Sequence, residues 1–125
     1  MDIQGRFEAI EECYEFMLAY AARGLRGDEG SESGRQIREY LNRAVLALIG
    51  LAESCVEPLG TFRAVLDRDA RDSLAAMELV LAQPAISSQL IDNLNASMHL
   101  RALLTDIFLV GEVLRTQRAA STLTT

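Results

Sequence analysis

The sequence predicts an all-α protein, an antiparallel four-helix bundle, and three observations carry that reading. Apolar residues recur at alternating spacings of three and four along most of the chain. Half of the 125 residues are hydrophobic but only 6% are aromatic and none is Trp, so the core must be built from Leu, Ile, Val, Ala and Met, as in helix bundles. The breakers Gly, Pro and Ser gather between the periodic runs and divide the chain into four segments. A chain of this length can bury roughly two-thirds of its unfolded surface in one domain without metals or disulfides.

Ile3, Phe7, Ile10, Tyr14, Met17 and Ala21 follow an unbroken 3-4-3-4 spacing, which predicts a first helix over residues 2–24. A second row, Ala9, Cys13, Phe16 and Tyr20, widens its buried side. The stretch "RGLRGDEGSESG" has no periodicity and reads as a loop, mobile over 25–34, after which Ser33 or Gly34 can start the next helix. Ile37, Leu41, Ala44, Leu48, Leu51 and Cys55 predict that second helix over 35–55. Pro58 and Gly60 end it, and Thr61 is placed to cap a third helix over 61–83.

In the third helix the run "DRDARDS" interrupts the apolar pattern, with Arg63/Asp67, Asp67/Arg71 and Arg68/Asp72 at helical i,i+4 spacing and a kink expected near 67–70. Pro84 ends it, and Ser87 or Ser88 caps a fourth helix over 88–117. That fourth helix carries Leu103, Leu104, Ile107, Phe108, Leu109, Val110, Val113 and Leu114 almost all the way round its axis. A helix apolar on nearly every side must be covered on nearly every side, and in a four-helix monomer each helix keeps an outward face. The excess predicts a homodimer through the fourth helix, with Leu103, Ile107, Phe108, Leu109, Val110, Val113 and Leu114 as its interface. Residues 1–118 form the domain in this reading, and the patternless "AASTLTT" gives a disordered tail over 119–125.

Charge excludes several functions. The net charge is −6, and the arginines are spread among acids, which disfavours nucleic acid and anionic membranes. All twelve basic residues are Arg, a coding bias suggesting a GC-rich bacterial genome. The start lacks a basic stretch followed by an apolar one, and no apolar run approaches the ~18–20 residues needed to span a bilayer, so a cytoplasmic location is expected.

The stretch "EAIEECYEFMLAY" packs four glutamates beside a cysteine and two tyrosines, and geometry decides what they can do. On a helical wheel of about 100° per residue, Glu8, Glu11, Glu12 and Glu15 fall within one arc of about 100°, pointing away from the apolar rows. A di-iron carboxylate bundle needs acids projecting inward and an E-x-x-H pair on each of two helices, and this chain has no such pair, so no metal is expected. His99 is the only imidazole, the one side chain poised for acid, base or phosphoryl chemistry near neutrality. Histidine phosphotransfer domains are also small four-helix bundles, but "HLRAL" has Ala102 and Leu103 where their H-x-x-K-G motif has Lys and Gly. Asp92 and Asp106 lie about two turns from His99, too far to orient it.

Cys13 and Cys55 have no zinc-ligand spacing. In an antiparallel hairpin of the first two helices they would lie on the order of 15 Å apart, beyond disulfide reach, so both are expected free and buried. The glutamates flanking Cys13 would raise its pKa, against a reactive thiol. With no cofactor motif, the sequence points to a non-enzymatic interaction module, an adaptor, small chaperone or regulatory subunit that binds itself and another protein. Acidic helical secretion-type chaperones share this general size and composition. The competing reading is a ligand-, metal- or cofactor-binding bundle, catalytic in its strongest form, with a site around His99, Tyr14 or Cys13 at a helix or dimer seam.

Overall fold

The computed structural model describes the backbone of residues 1–124 and the side chains of residues 1–120. Five helices follow in order: α1 (Ile3–Ala21), α2 (Glu32–Leu48), α3 (Phe62–Leu81), α4 (Ser88–Ala96) and α5 (Met98–Thr124). The described residues contain no strand. Four helix starts are fixed by a side-chain oxygen accepting an otherwise orphaned backbone N–H: Asp2 from Gly5, Ser31 from Gly34, Ser87 from Leu90 and Ser97 from Leu100. Thr61 stands at the start of α3 without such a bond.

The pairs α1/α2, α2/α3 and α3/α5 run antiparallel. Arg6 near the start of α1 donates to the carbonyl of Ala47 near the end of α2 (3.1 Å), and Phe16 stacks on Tyr40 with ring centroids 4.1 Å apart. Arg38 of α2 donates to the Leu81 carbonyl at the end of α3 (2.8 Å). Along α3 and α5, Ser73 Oγ donates to the His99 carbonyl (2.9 Å), while further toward the start of the bundle Glu57 meets Arg118 at 3.4 Å. One core of Leu, Ile, Met and Ala side chains, with Tyr20 and Phe7, fills the space between the helices.

Chain reversals leave backbone carbonyls without helical partners, and arginine forks take them up. Arg6 bridges the Ala47 and Ile49 carbonyls, Arg38 those of Leu81, Gln83 and Pro84, and Arg63 those of Ala52, Cys55 and Glu57. Arg63 therefore does not pair with Asp67 as the i,i+4 spacing suggested. Arg71 does, at 2.9 Å, and α3 runs as one helix through the charged stretch.

Several boundaries differ from the sequence reading: α1 ends at Ala21 rather than 24 and α2 begins at Glu32 rather than 35. The second helix ends at Leu48 rather than 55, because Ile49 turns extended and Gly50 takes φ +70°. Leu51, Ala52 and Cys55 keep the helical period only because the turns that follow return them to the core. The fourth predicted helix is two helices, broken where Ser97 goes extended (ψ 145°) and caps α5 with its hydroxyl. Helix α5 also continues to Thr124, across most of the stretch read as a disordered tail over 119–125; Thr125 lies outside the described residues.

The loop expected to be mobile over 25–34 is pinned along its first half. Ile86 N donates to the Gly27 carbonyl (3.1 Å) and Ser88 N to the Leu25 carbonyl (2.8 Å), while Leu25 N donates to Ser88 Oγ (2.7 Å). Ser88 Oγ in turn donates to the Tyr20 carbonyl, and the Tyr20 hydroxyl donates to the Ile86 carbonyl, both at 2.6 Å. This buried polar knot ties the end of α1 to the turn between α3 and α4.

Candidate functional site

The structure does not bring the three chemistry-bearing candidates together. Cys13 is fully buried beneath α1, and burial pushes its thiol up to about 12, with Arg43 pulling weakly the other way. The neighbouring glutamates contribute nothing to that shift, because they occupy the opposite, outward face of α1. Tyr14 is half-buried and packs against the core, and His99 is exposed at the beginning of α5 with only its backbone carbonyl engaged, by Ser73. None of the three lines any of five grooves on the surface of the described residues. Cys55 is likewise free and buried. Among the described residues, no group of three or more His, Cys, Asp or Glu could hold a metal ion.

Helix α5 separates what the sequence had merged. Leu103, Ile107, Val110 and Leu114 recur at spacings of three and four, and all are buried in the chain's own core against α3 and its neighbours. These four cannot form a subunit interface as the sequence reading placed them. The other three named interface residues are outward: Phe108 is 62% exposed, Leu109 52% and Val113 39%. Leu109 and Val113 lie one turn apart and form a ridge, whereas Phe108 turns toward α1 and lines the groove between α1 and α5.

Other large apolar side chains that reach solvent are Met1, Leu18 on α1, Leu46 near the end of α2 with Ile49 just beyond it, Val56 in a connection, Leu79 on α3 and Met98 at the first position of α5. Single exposures of that kind are ordinary, and three within two turns of one helix are not.

Gly111 sits in the same region of α5. Glycine inside a helix costs about 1 kcal/mol relative to alanine. A Cβ built at Gly111 would meet nothing within 4 Å, and its backbone is not in the left-handed region, so neither packing nor conformation requires glycine there.

A second feature lies inside. Asp106 projects from the buried side of α5, only 5% exposed, and its carboxyl faces that of Asp69 on α3. Burial first, and then the Asp69 carboxyl, push Asp106 up to about 7, with Arg68 offsetting part of the rise. Asp106 Oδ2 is buried with no hydrogen-bond partner. Asp106 therefore changes its charge close to neutrality, well above the ordinary carboxylate range. The sequence carried the signal, since Asp106 falls three residues after Leu103 and four before Val110, inside the apolar stripe.

Comparison with protein-family models, with curated proteins and with solved structures finds no match. No helix among the described residues is long and apolar enough to cross a membrane.

Proposed function

We propose that this chain is a non-enzymatic protein-interaction module, an antiparallel helical bundle that acts as a homodimer through the outer face of α5. One observation carries the reading: Leu109 and Val113 project from a helix whose opposite face is already spent on the core. A two-fold axis near Leu109 would set two copies of α5 antiparallel, so that each ridge covers the other, the arrangement closed dimers favour. The scattered placement of His99, Tyr14 and Cys13 argues against a catalytic or cofactor-binding bundle.

The test is the oligomeric mass across a dilution series, measured by light scattering or sedimentation. The unmodified chain is expected to run as a dimer. The double variant Leu109→Glu, Val113→Glu is expected to weaken association at least about a hundredfold, because two carboxylates per copy would have to be desolvated at the centre of the contact. Its helicity should be unchanged, since both positions face outward in the single chain. A chain that stays monomeric at every concentration would remove the dimer from this reading.

A further inference from the structure

The groove between α1 and α5 has a volume of about 150 Å³. Phe7 and Ile107, both buried, lie at its floor, and the exposed Phe108 ring forms one wall. Glu8 and Glu11 line the side formed by α1, three residues apart and so on the same helical face. Burial, then Glu15, then Glu8 raise the Glu11 carboxyl above its ordinary range, and Arg115 relieves this least of all. Arg115 lines the groove as well, but its guanidinium is paired with Glu112 on its own helix. The α1 wall thus carries Glu8 and Glu11 beside Gln4, whose Nε2 donates to Glu8 (3.4 Å), and the α5 wall carries the Phe108 ring and the paired Arg115. Gly111 leaves open space above the groove, so another chain can come against the α5 backbone there.

We propose that this groove binds an arginine side chain of a separate protein partner, with the guanidinium held by Glu8 and Glu11 against the Phe108 ring and the stem laid across Gly111. Arginine fits better than lysine because its planar fork can engage two carboxylates and stack on a ring face, which a compact ammonium cannot do together. The cation–π contact with Phe108 and the charge-assisted hydrogen bonds to the glutamates act on the same planar group. The acidity of the chain as a whole, −6, draws a basic segment toward this face. The glycine then has a physical role: any side chain at 111 would occupy the space where the arginine stem lies. This inference rests on the interaction-module reading and names the chemistry of a partner, using a face of α5 other than the Leu109 and Val113 ridge.

The test is an amide chemical-shift titration of the full chain with acetyl-arginine N-methylamide, run beside acetyl-glutamine N-methylamide. Saturable shifts at Glu8, Glu11, Phe108 and Gly111 are expected with the arginine compound alone, with a dissociation constant on the order of millimolar for one isolated side chain. Glu8→Gln with Glu11→Gln should weaken binding at least about tenfold. Gly111→Leu should abolish it while leaving the melting temperature equal or higher, which separates a filled groove from a damaged fold. No saturable shift, equal shifts with the glutamine compound, shifts centred on another acidic surface, or undiminished binding by Gly111→Leu would each overturn the proposal. Dissociation of an oligomer by the arginine compound would overturn the separate-partner assignment and make a second copy the source of the arginine. The Leu109→Glu, Val113→Glu chain should still bind the compound, so loss of the dimer reading and loss of the groove are read independently.

Discussion

Gly27→Ala is expected to lower the unfolding free energy by about 4 kcal/mol or more, seen as a fall of the melting temperature on the order of 15 °C. Gly27 takes φ +62°, which costs an L-residue roughly 1–2 kcal/mol by itself. The larger part is steric. A Cβ there would lie 1.8 Å from the Ile86 carbonyl oxygen and 2.5 Å from the Tyr20 hydroxyl, and neither distance is tolerable. The loop would have to withdraw from the turn before α4, breaking the bond from Ile86 N to the Gly27 carbonyl and straining those that tie Leu25 to Ser88 and Tyr20 to Ile86. Each buried donor or acceptor so orphaned costs about 1–3 kcal/mol. Gly30 is the internal control: it takes φ +82°, but a Cβ there would meet nothing within 4 Å. Gly30→Ala should cost only the backbone term, roughly 1–2 kcal/mol. Equal losses for the two variants in denaturant titrations would show that the knot around Ile86 contributes nothing to stability.

That contrast also marks how far the sequence could be read. The amphipathic stripes of α1, α2 and α3 were legible because a single period decides which side chains face inward, and the outward row of Glu8, Glu11, Glu12 and Glu15 followed from the same geometry. Gly27 and Gly30 look alike in "RGDEG", yet one is buried against a carbonyl and the other is open to solvent. What distinguishes them is Ile86, almost sixty residues away, which no local pattern can locate. The break at Ser97 was missed for a different reason. Leu94 and Leu100 both return to the core on either side of it, so the apolar period runs on through a residue that has left the helix. The interface on α5 was overdrawn for the same cause: without knowing where α3 lies, an inner stripe at 103, 107, 110 and 114 and an outer ridge at 109 and 113 merge into one apolar surface. The arginines, read as coding bias and, for Arg63, as an i,i+4 partner of Asp67, were missed as carbonyl clamps because their targets are main-chain atoms at chain reversals.

The native state should grow less stable as pH rises from about 4 to about 7, and Asp106→Asn should remove that slope. An aspartate in the unfolded chain titrates near 3.9, whereas Asp106 in the folded chain titrates at about 7. Between those values the folded protein keeps a proton that the unfolded chain has released, so raising the pH favours unfolding. The stabilisation is fully present below the lower value and lost once pH passes the upper one, where both states are ionised and two carboxylates face each other across the α3 and α5 seam. A separation of this size corresponds to roughly 2–4 kcal/mol, allowing for relaxation around the half-buried Asp69. Asparagine at 106 keeps the shape, supplies a donor to an ionised Asp69 at every pH, and removes the like charge. The variant should therefore match the unmodified chain at about pH 4 and below, and exceed it by that amount near pH 8. The difference between the two stability curves is the quantity to measure, because it cancels the other seventeen carboxylates among the 18 acidic residues. A flat difference across this range would mean that Asp106 ionises in the folded chain as it does in the unfolded one. Because Asp106 lies on the inner face of the helix whose outer face carries Leu109, Val113 and Phe108, opening of this seam at alkaline pH would loosen the helix that presents the proposed contacts, and dimer mass should fall with pH in the unmodified chain but not in Asp106→Asn.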